Sequence, residues 1–168
     1  MAVRDNLKDT RLLVLTALIL ALTTVATLFL KIPVGAGYIH LGDVCALLGA
    51  KILPKKDAAF AAAIGASLAD LLGGFAAWAP FTLVVKAGMV LIVALFAGRT
   101  ACDSKVGRYL GLILAVAWTV VGYYLAEGLL YANWVAPLIG VPFNALQVAV
   151  GWFLAGVIYR SLDGRVRI

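Results

Sequence analysis

Long apolar segments alternate with short polar ones along the whole chain, and this pattern predicts a bundle of membrane helices. Segments 12–30, 80–98, 109–131 and 141–159 are each long enough to cross the roughly 30 Å hydrocarbon core of a bilayer. A helix satisfies its own backbone hydrogen bonds, which lipid cannot do. We therefore expect four long membrane helices.

Two shorter segments complete the predicted bundle. Segment 41–53 has only about 13 residues, so it can cross only if the glycine-rich loop 33–43 before it dips inward as a cap or re-entrant loop. Segment 57–72 is rich in alanine and begins at Asp57, a plausible N-cap, so we place it at the centre of the bundle. The predicted fold class is an all-α membrane protein with six transmembrane helices, a capping loop between helices 1 and 2, and one domain, 1–168.

Composition supports this assignment. The chain is 64% hydrophobic and 13% charged, with a mean hydropathy of +1.06, whereas soluble domains are about 45–50% apolar. The first span is longer than the apolar core of a signal peptide, so we expect it to stay in the protein. Cys45 and Cys102 fall in a short span and in a predicted cytoplasmic loop, so a disulfide is not expected.

The basic residues predict the orientation. Of the 14 Lys and Arg residues, all except Lys31 and Lys86 fall on one side of a six-span chain. By the positive-inside rule, both termini and segment 99–108 are cytoplasmic. The net charge of +6 then needs no nucleic-acid partner. The residues on the cytoplasmic side are Arg4, Lys8, Arg11, Lys51, Lys55, Lys56, Arg99, Lys105, Arg108, Arg160, Arg165 and Arg167.

The same topology collects polar and aromatic side chains at the outer end of the bundle. Such residues are costly in lipid and mark functional sites when they face a protein interior. We interpret the set as a substrate pocket with aromatic residues for ring stacking. Its members are Tyr38, His40, Asp43, Asp70, Trp78, Lys86, Tyr123, Glu127, Asn144 and Gln147.

Each of these residues also has a purely structural interpretation. Asp70 and Lys86 could form an ion pair, and His40 could be a solvated loop residue. Asn144 and Gln147 could hydrogen-bond neighbouring helices, and Trp78 and Trp134 could belong to the interfacial aromatic belt. On helix 1, Ala17 and Ala21 share a face, and this small-residue spacing favours close helix packing.

Four runs of sequence carry a family resemblance: residues 37–43 (GYIHLGD), 64–74 (IGASLADLLGG), 79–88 (APFTLVVKAG) and 139–144 (IGVPFN). Together they resemble the S components of energy-coupling factor (ECF) vitamin transporters, in the branch with riboflavin-type and hydroxymethylpyrimidine or pyridoxine-type members. The resemblance implies six helices and a pocket that opens outward beneath the loop joining helices 1 and 2. It also implies that Ala17 and Ala21 dock on a transmembrane T component, and that two ATPase subunits complete a complex in which the S component topples.

The expected function is therefore uptake of a small vitamin or precursor across a prokaryotic cell membrane. Pyridoxine or hydroxymethylpyrimidine is favoured, and riboflavin is the alternative. The chain has no phosphate-binding loop, so ATP hydrolysis is expected from the partners, and no cofactor or metal is expected. Two rivals remain, a structural membrane subunit and an intramembrane hydrolase that uses His40 with Asp43 or Asp70. The hydrolase would lack a metal-binding His-Glu-x-x-His motif.

Overall fold

The computed structural model describes residues 2–34, 37–96 and 105–162. Six helices form in these ranges, as the sequence predicts, and most of their ends lie within a few residues of the predicted ones. A two-stranded hairpin separates the first two helices, and a short 3₁₀ helix, Ala136–Ile139, precedes the last one. In chain order the elements are α1 (Ala2–Phe29), β1 (Lys31–Val34), β2 (Gly37–His40), α2 (Gly42–Ile52), α3 (Lys55–Leu72), α4 (Ala79–Phe96), α5 (Lys105–Tyr131) and α6 (Gly140–Ser161).

Three helices begin at least two residues earlier than predicted, and one of them, α5, begins at Lys105 instead of position 109. Helix α1 begins at Ala2 instead of position 12, so the polar N-terminal segment continues the helix. Helix α3 begins at Lys55 and has Pro54 at its N-cap position in place of Asp57. Proline fixes its own φ near −65° and favours the start of a helix, and Pro54 has φ −56°.

The expected loop between the first two helices is an antiparallel hairpin. Lys31 pairs with His40 and Val34 pairs with Gly37. The Leu41 amide donates a hydrogen bond of 3.1 Å to the Leu30 carbonyl, which extends the pairing to the point where α1 ends and α2 begins. Pairing within the hairpin satisfies the backbone groups of a segment that lies against an apolar bundle.

The six helices close into a ring in the order α1, α3, α4, α5, α6, α2. The short helix α2 lies between the first and last helices of the chain and also contacts α3 and α4. Since successive helices run in opposite directions, α1, α3 and α5 end where α2, α4 and α6 begin. The hairpin lies at that end of the ring.

Small side chains, mainly alanine, occupy much of the interior together with apolar residues such as Leu47 and Met89, whereas many other large apolar side chains cover the outside. Alanines of α3 are buried against α1 and α4, where the Thr24 hydroxyl also donates 2.9 Å to the Gly65 carbonyl. In contrast, Leu13, Phe29 and Ile113 are 63–72% exposed. Membrane bundles show this arrangement because lipid solvates apolar side chains while small residues let helices approach closely.

Within the described ranges, four helical segments are long and apolar enough to span a membrane: Asp9–Phe29, Ala79–Phe96, Lys105–Tyr131 and Ala136–Ser161. Helix α2 has 11 residues, which gives a length of about 16 Å and is too short to cross the bilayer alone. Cys102 and most of the predicted loop 99–108 lie outside the described residues, so the expectation for the cysteine pair stays a prediction.

Candidate functional site

An open pocket lies beneath the hairpin, between the ends of α3, α4, α5 and α6. The space that protein atoms leave free there, including the open mouth, is about 600 Å³. Aromatic rings form much of its wall and polar groups interrupt them. The lining residues are Tyr38, Ile39, His40, Asp70, Phe75, Trp78, Thr82, Tyr123, Glu127, Gly140, Phe143, Asn144 and Gln147.

The turn between α3 and α4 supplies one side of this pocket. Gly74 has φ +83°, a conformation that is easily adopted only by glycine, and it reverses the chain directly after α3. The Phe75 amide then donates 2.8 Å to the Asp70 carbonyl, and the Trp78 amide donates 2.8 Å to the Phe75 carbonyl. These bonds place Asp70, Phe75 and Trp78 on one side of the pocket.

The hairpin contributes Tyr38, whose hydroxyl donates a hydrogen bond to Asp70 Oδ1. Its ring lies 4.8 Å from the ring of Phe75, and the Lys31 ammonium sits 5.0 Å from the Tyr38 ring centroid. Burial and the hydrogen bond to Asp70 raise the pKa of Tyr38, so its hydroxyl keeps its proton. The hydroxyl therefore remains a donor and ties the hairpin to α3.

A buried ion pair lies behind the pocket wall. Lys86 Nζ is 2.6 Å from Asp43 Oδ1, and both side chains are at most 2% exposed. The Lys86 ammonium also lies 5.3 Å from the centroid of the Tyr123 ring, which faces the pocket. The two charges compensate each other, as buried charges must.

Gln147 connects this ion pair to the hairpin. Its Nε2 donates 2.8 Å to Asp43 Oδ2, and its Oε1 accepts a hydrogen bond of 2.8 Å from the His40 amide. One side chain of α6 therefore holds both α2 and the second strand of the hairpin.

His40 is part of this packed junction. It is 8% exposed, and its Nδ1 accepts 3.1 Å from the Gly42 amide and lies 3.3 Å from the Thr27 hydroxyl. Burial and the nearby Lys86 ammonium lower the pKa of His40 to about 3. A base this weak is poorly matched to proton abstraction near neutral pH, which argues against the intramembrane hydrolase.

Aromatic and polar groups from α4, α5 and α6 complete the pocket. The Trp78 ring lies 6.2 Å from the ring of Tyr123 and 6.2 Å from that of Tyr131. The Tyr123 hydroxyl reaches Thr82 Oγ1 at 3.5 Å. Glu127 and Asn144 lie on the facing ends of α5 and α6 and add an acidic and an amide group to the lining.

The structure brings eight of the ten predicted site residues together around this pocket: Tyr38, His40, Asp70, Trp78, Tyr123, Glu127, Asn144 and Gln147. Asp43 and Lys86 do not line it but pair with each other behind it. The alternatives of an Asp70–Lys86 ion pair and a solvated His40 were therefore wrong. The alternative that an amide side chain hydrogen-bonds a neighbouring helix is correct for Gln147, which donates to Asp43 of α2.

Sequence reasoning missed five lining residues: Ile39, Phe75, Thr82, Gly140 and Phe143. Thr82 lies four residues before Lys86, so it shares that face of α4, and this spacing could have identified it. Phe143 directly precedes Asn144 in the sequence. Phe75 had no such signal, because its position depends on the turn at Gly74.

Ala17 and Ala21 lie together on the outside of α1, where both are exposed. The neighbouring Thr24 hydroxyl instead turns inward to α3. The two alanines are therefore not used for packing inside this bundle.

Comparisons with known proteins agree with this architecture. The model of a family described as the S component of ECF-type riboflavin transporters matches residues 7–163. A thiamine precursor transporter, HmpT of Lactococcus lactis, is 34% identical over 161 residues, which cover 94% of this chain and 90% of that protein. An uncharacterised protein of Pyrococcus woesei is 34% identical over 110 residues, 64% of this chain and 72% of the relative.

The fold also matches a solved structure, the S component of a bacterial ECF transporter. The TM-score is 0.74 over 96% of this chain and 99% of the other, at 18% sequence identity. This match establishes the similarity of the two folds.

Proposed function

Because this chain belongs to the family of S components of ECF-type riboflavin transporters, we propose that its pocket captures a small vitamin or vitamin precursor for uptake. The protein is a multi-pass membrane protein of the prokaryotic cell membrane and is a substrate-binding component, not an enzyme. A pyrimidine or pyridine alcohol, either hydroxymethylpyrimidine or pyridoxine, is the favoured substrate.

The observation that carries this proposal is the mixed lining of the pocket. Trp78, Tyr123 and Phe143 offer flat apolar surfaces, whereas Asp70, Glu127 and Asn144 offer hydrogen-bonding groups beside them. A small heteroaromatic alcohol has the same combination of a flat ring and polar edges. The similarity to a thiamine precursor transporter supports the same substrate class.

Riboflavin is the second candidate, since the matching family is described by that vitamin. Its three-ring system would need more room than a single six-membered ring. A pocket that fits a single six-membered ring is therefore expected to bind the small alcohols and not riboflavin, and a pocket that fits three rings is expected to bind riboflavin.

We further propose that the whole chain, 1–168, forms one unit with six membrane helices and both termini in the cytoplasm. Helices α2 and α3 lie within a ring whose other members are the four candidate spans, which supports placing them at membrane depth as well. Lys51, Lys55, Lys56, Arg108 and Arg160 gather at the end opposite the pocket, which supports a cytoplasmic location for that end.

The partners follow from this role. A substrate-binding component without a nucleotide site needs other subunits for energy, so we propose that a T component and two ATPase subunits associate with it. Ala17 and Ala21 form a small exposed surface on α1 to which the T component would bind.

Binding to the purified subunit tests the proposed substrate. Isothermal titration in detergent with hydroxymethylpyrimidine, pyridoxine and riboflavin should give saturable binding of one of the two small alcohols. Mass spectrometry of the compound that copurifies with the subunit provides an independent identification. Binding of riboflavin alone would replace the favoured substrate, and binding of none of the three would contradict the proposal.

A further inference from the structure

One carboxylate oxygen in the wall of the pocket is buried and has no hydrogen-bond donor among the described residues. Asp70 is 4% exposed, and its Oδ1 accepts the Tyr38 hydroxyl. Its Oδ2 is also buried but has no hydrogen-bond partner among the described residues. A buried polar atom of this kind is unfavourable unless something supplies a donor.

The nearby ammonium groups are engaged elsewhere. The Lys86 ammonium contacts Asp43 at 2.6 Å, and the Lys31 ammonium lies over the rings of Tyr38 and Phe75 at 5.0 and 5.3 Å. In the described part of the chain, neither ammonium forms an ion pair with Asp70. The Tyr123 hydroxyl is directed at Thr82 Oγ1. The Thr82 hydroxyl lies beside the Asp70 carboxylate, but Oδ2 still has no partner at hydrogen-bond geometry among the described residues.

The charge of the lining narrows the class of ligand. Asp70 and Glu127 are the two carboxyl groups among the lining residues, and no lysine or arginine accompanies them. A phosphate or carboxylate group on the ligand would therefore meet like charge in a partly buried site. The lining instead suits a neutral or cationic molecule that offers hydrogen-bond donors.

We propose that Asp70 selects the substrate by accepting an N–H bond from an exocyclic amine on its heteroaromatic ring. This inference rests on the proposed function and narrows its substrate to an unphosphorylated amino-heteroaromatic alcohol. A ring amine lies in the plane of the ring and points in a fixed direction, whereas a hydroxymethyl group rotates and loses more freedom on binding. Tyr38 is a positioning residue, because its hydroxyl fixes the carboxylate through Oδ1.

The test compares two ligands on the purified subunit by isothermal titration. They are hydroxymethylpyrimidine, which carries a ring amine, and its analogue with hydrogen in place of that amine. Loss of a hydrogen bond to a charged acceptor should weaken binding to the wild-type subunit by about 10- to 100-fold. The phosphate ester of the same pyrimidine should also bind at least about tenfold more weakly than the alcohol.

Asp70→Asn should remove the preference between the two ligands. The asparagine carbonyl can still accept from Tyr38, but its NH₂ group then faces the pocket and opposes the ligand amine. Glu127→Gln is the matched control, since it neutralises the other carboxyl group of the lining. It should keep the preference for the amine even if overall affinity falls.

The outcomes separate this inference from the proposed function. Equal binding of the two pyrimidines to the wild-type subunit, or binding of pyridoxine instead, would overturn the role of Asp70 and leave vitamin uptake standing. Absence of binding by the pyrimidines, pyridoxine and riboflavin would overturn both. If Asp70→Asn fails to fold, the ligand comparison on the wild-type subunit still decides the question.

Discussion

A single amide side chain, that of Gln147, holds three parts of the molecule together. It belongs to α6, donates to Asp43 of α2 and accepts from the backbone of the hairpin at His40. Since Asp43 also pairs with Lys86 of α4, four elements meet in one hydrogen-bonded group. The hairpin is therefore held through its backbone as well as through the Tyr38 side chain.

Lys86→Met should strongly destabilise the subunit, because it leaves the Asp43 carboxylate buried without its counter-charge. Breaking one side of a buried ion pair costs about 3–5 kcal/mol, whereas replacing both partners by apolar residues is often neutral. The double variant Lys86→Met with Asp43→Leu should therefore recover much of the thermal unfolding midpoint measured in detergent. If the double variant unfolds as easily as the single one, compensation of charge is not the main role of this pair.

The partner of Lys86 shows where sequence reasoning reached its limit. The charge pattern placed Asp43, Asp70 and Lys86 at the same end of the bundle, and the structure agrees. Choosing between the two carboxylates requires knowing that α2 contacts α4 within the ring, and this is a tertiary arrangement that no periodicity encodes. The four long helices, in contrast, follow directly from the lengths of the apolar segments.

The stability of the hairpin junction should depend on pH through His40. Its pKa is about 3 in the folded protein and about 6.5 in an unfolded chain, so between these values only the unfolded state gains a proton. The stabilisation is complete above about pH 6.5 and is lost as the pH falls toward 3. The thermal unfolding midpoint in detergent should therefore decrease as the pH is lowered from about 7 to about 5. His40→Gln should make this decrease smaller. An equal fall in that variant would assign the effect to other groups.

At the scale of elements, the hairpin and the start of α2 fit closely against α1. A Cβ atom added at Gly42 would lie 1.9 Å from Thr27 Oγ1 and 2.9 Å from His40 Nδ1. Glycine is needed here for close approach and not for an unusual backbone angle. The junction between α1, the hairpin and α2 therefore has no room for a larger residue.

Gly42→Ala should displace the hairpin and weaken ligand binding by about tenfold or more, since overpacking costs about 1–3 kcal/mol. Gly156→Ala is the matched control, because a Cβ at that position of α6 meets no heavy atom within 4 Å. It should leave affinity unchanged and raise helix stability slightly. Titration of both variants with the same ligand provides the comparison, and equal affinities would show that the hairpin can shift at no cost.

At the scale of the whole molecule, the pocket and the exposed small residues of α1 lie in different places. The pocket occupies the hairpin end of the ring, whereas Ala17 and Ala21 lie along the outside of α1. Ala17 and Ala21 can therefore be substituted without altering any residue that lines the pocket.

Replacing Ala17 and Ala21 together by leucine should leave ligand affinity of the purified subunit unchanged while abolishing vitamin uptake by cells. The larger side chains would prevent close approach of a partner helix, on which association in membranes depends. Leu18→Phe, an exposed position between them, tests whether added bulk elsewhere on α1 has the same effect. Normal uptake by the double variant would place the T-component surface elsewhere.

The order of the helices in the ring has a consequence for how the protein is made. Helix α2 leaves the ribosome well before α6, yet α6 is one of its two flanking neighbours in the ring. The amide donor to Asp43, Gln147, is synthesised 104 residues later in the chain. A nascent chain that stops before α6 therefore leaves one side of α2 uncovered and Asp43 Oδ2 without its amide donor. Addition of α6 completes the pocket, to which it contributes Phe143, Asn144 and Gln147, so a chain without α6 cannot compete with the finished protein for substrate.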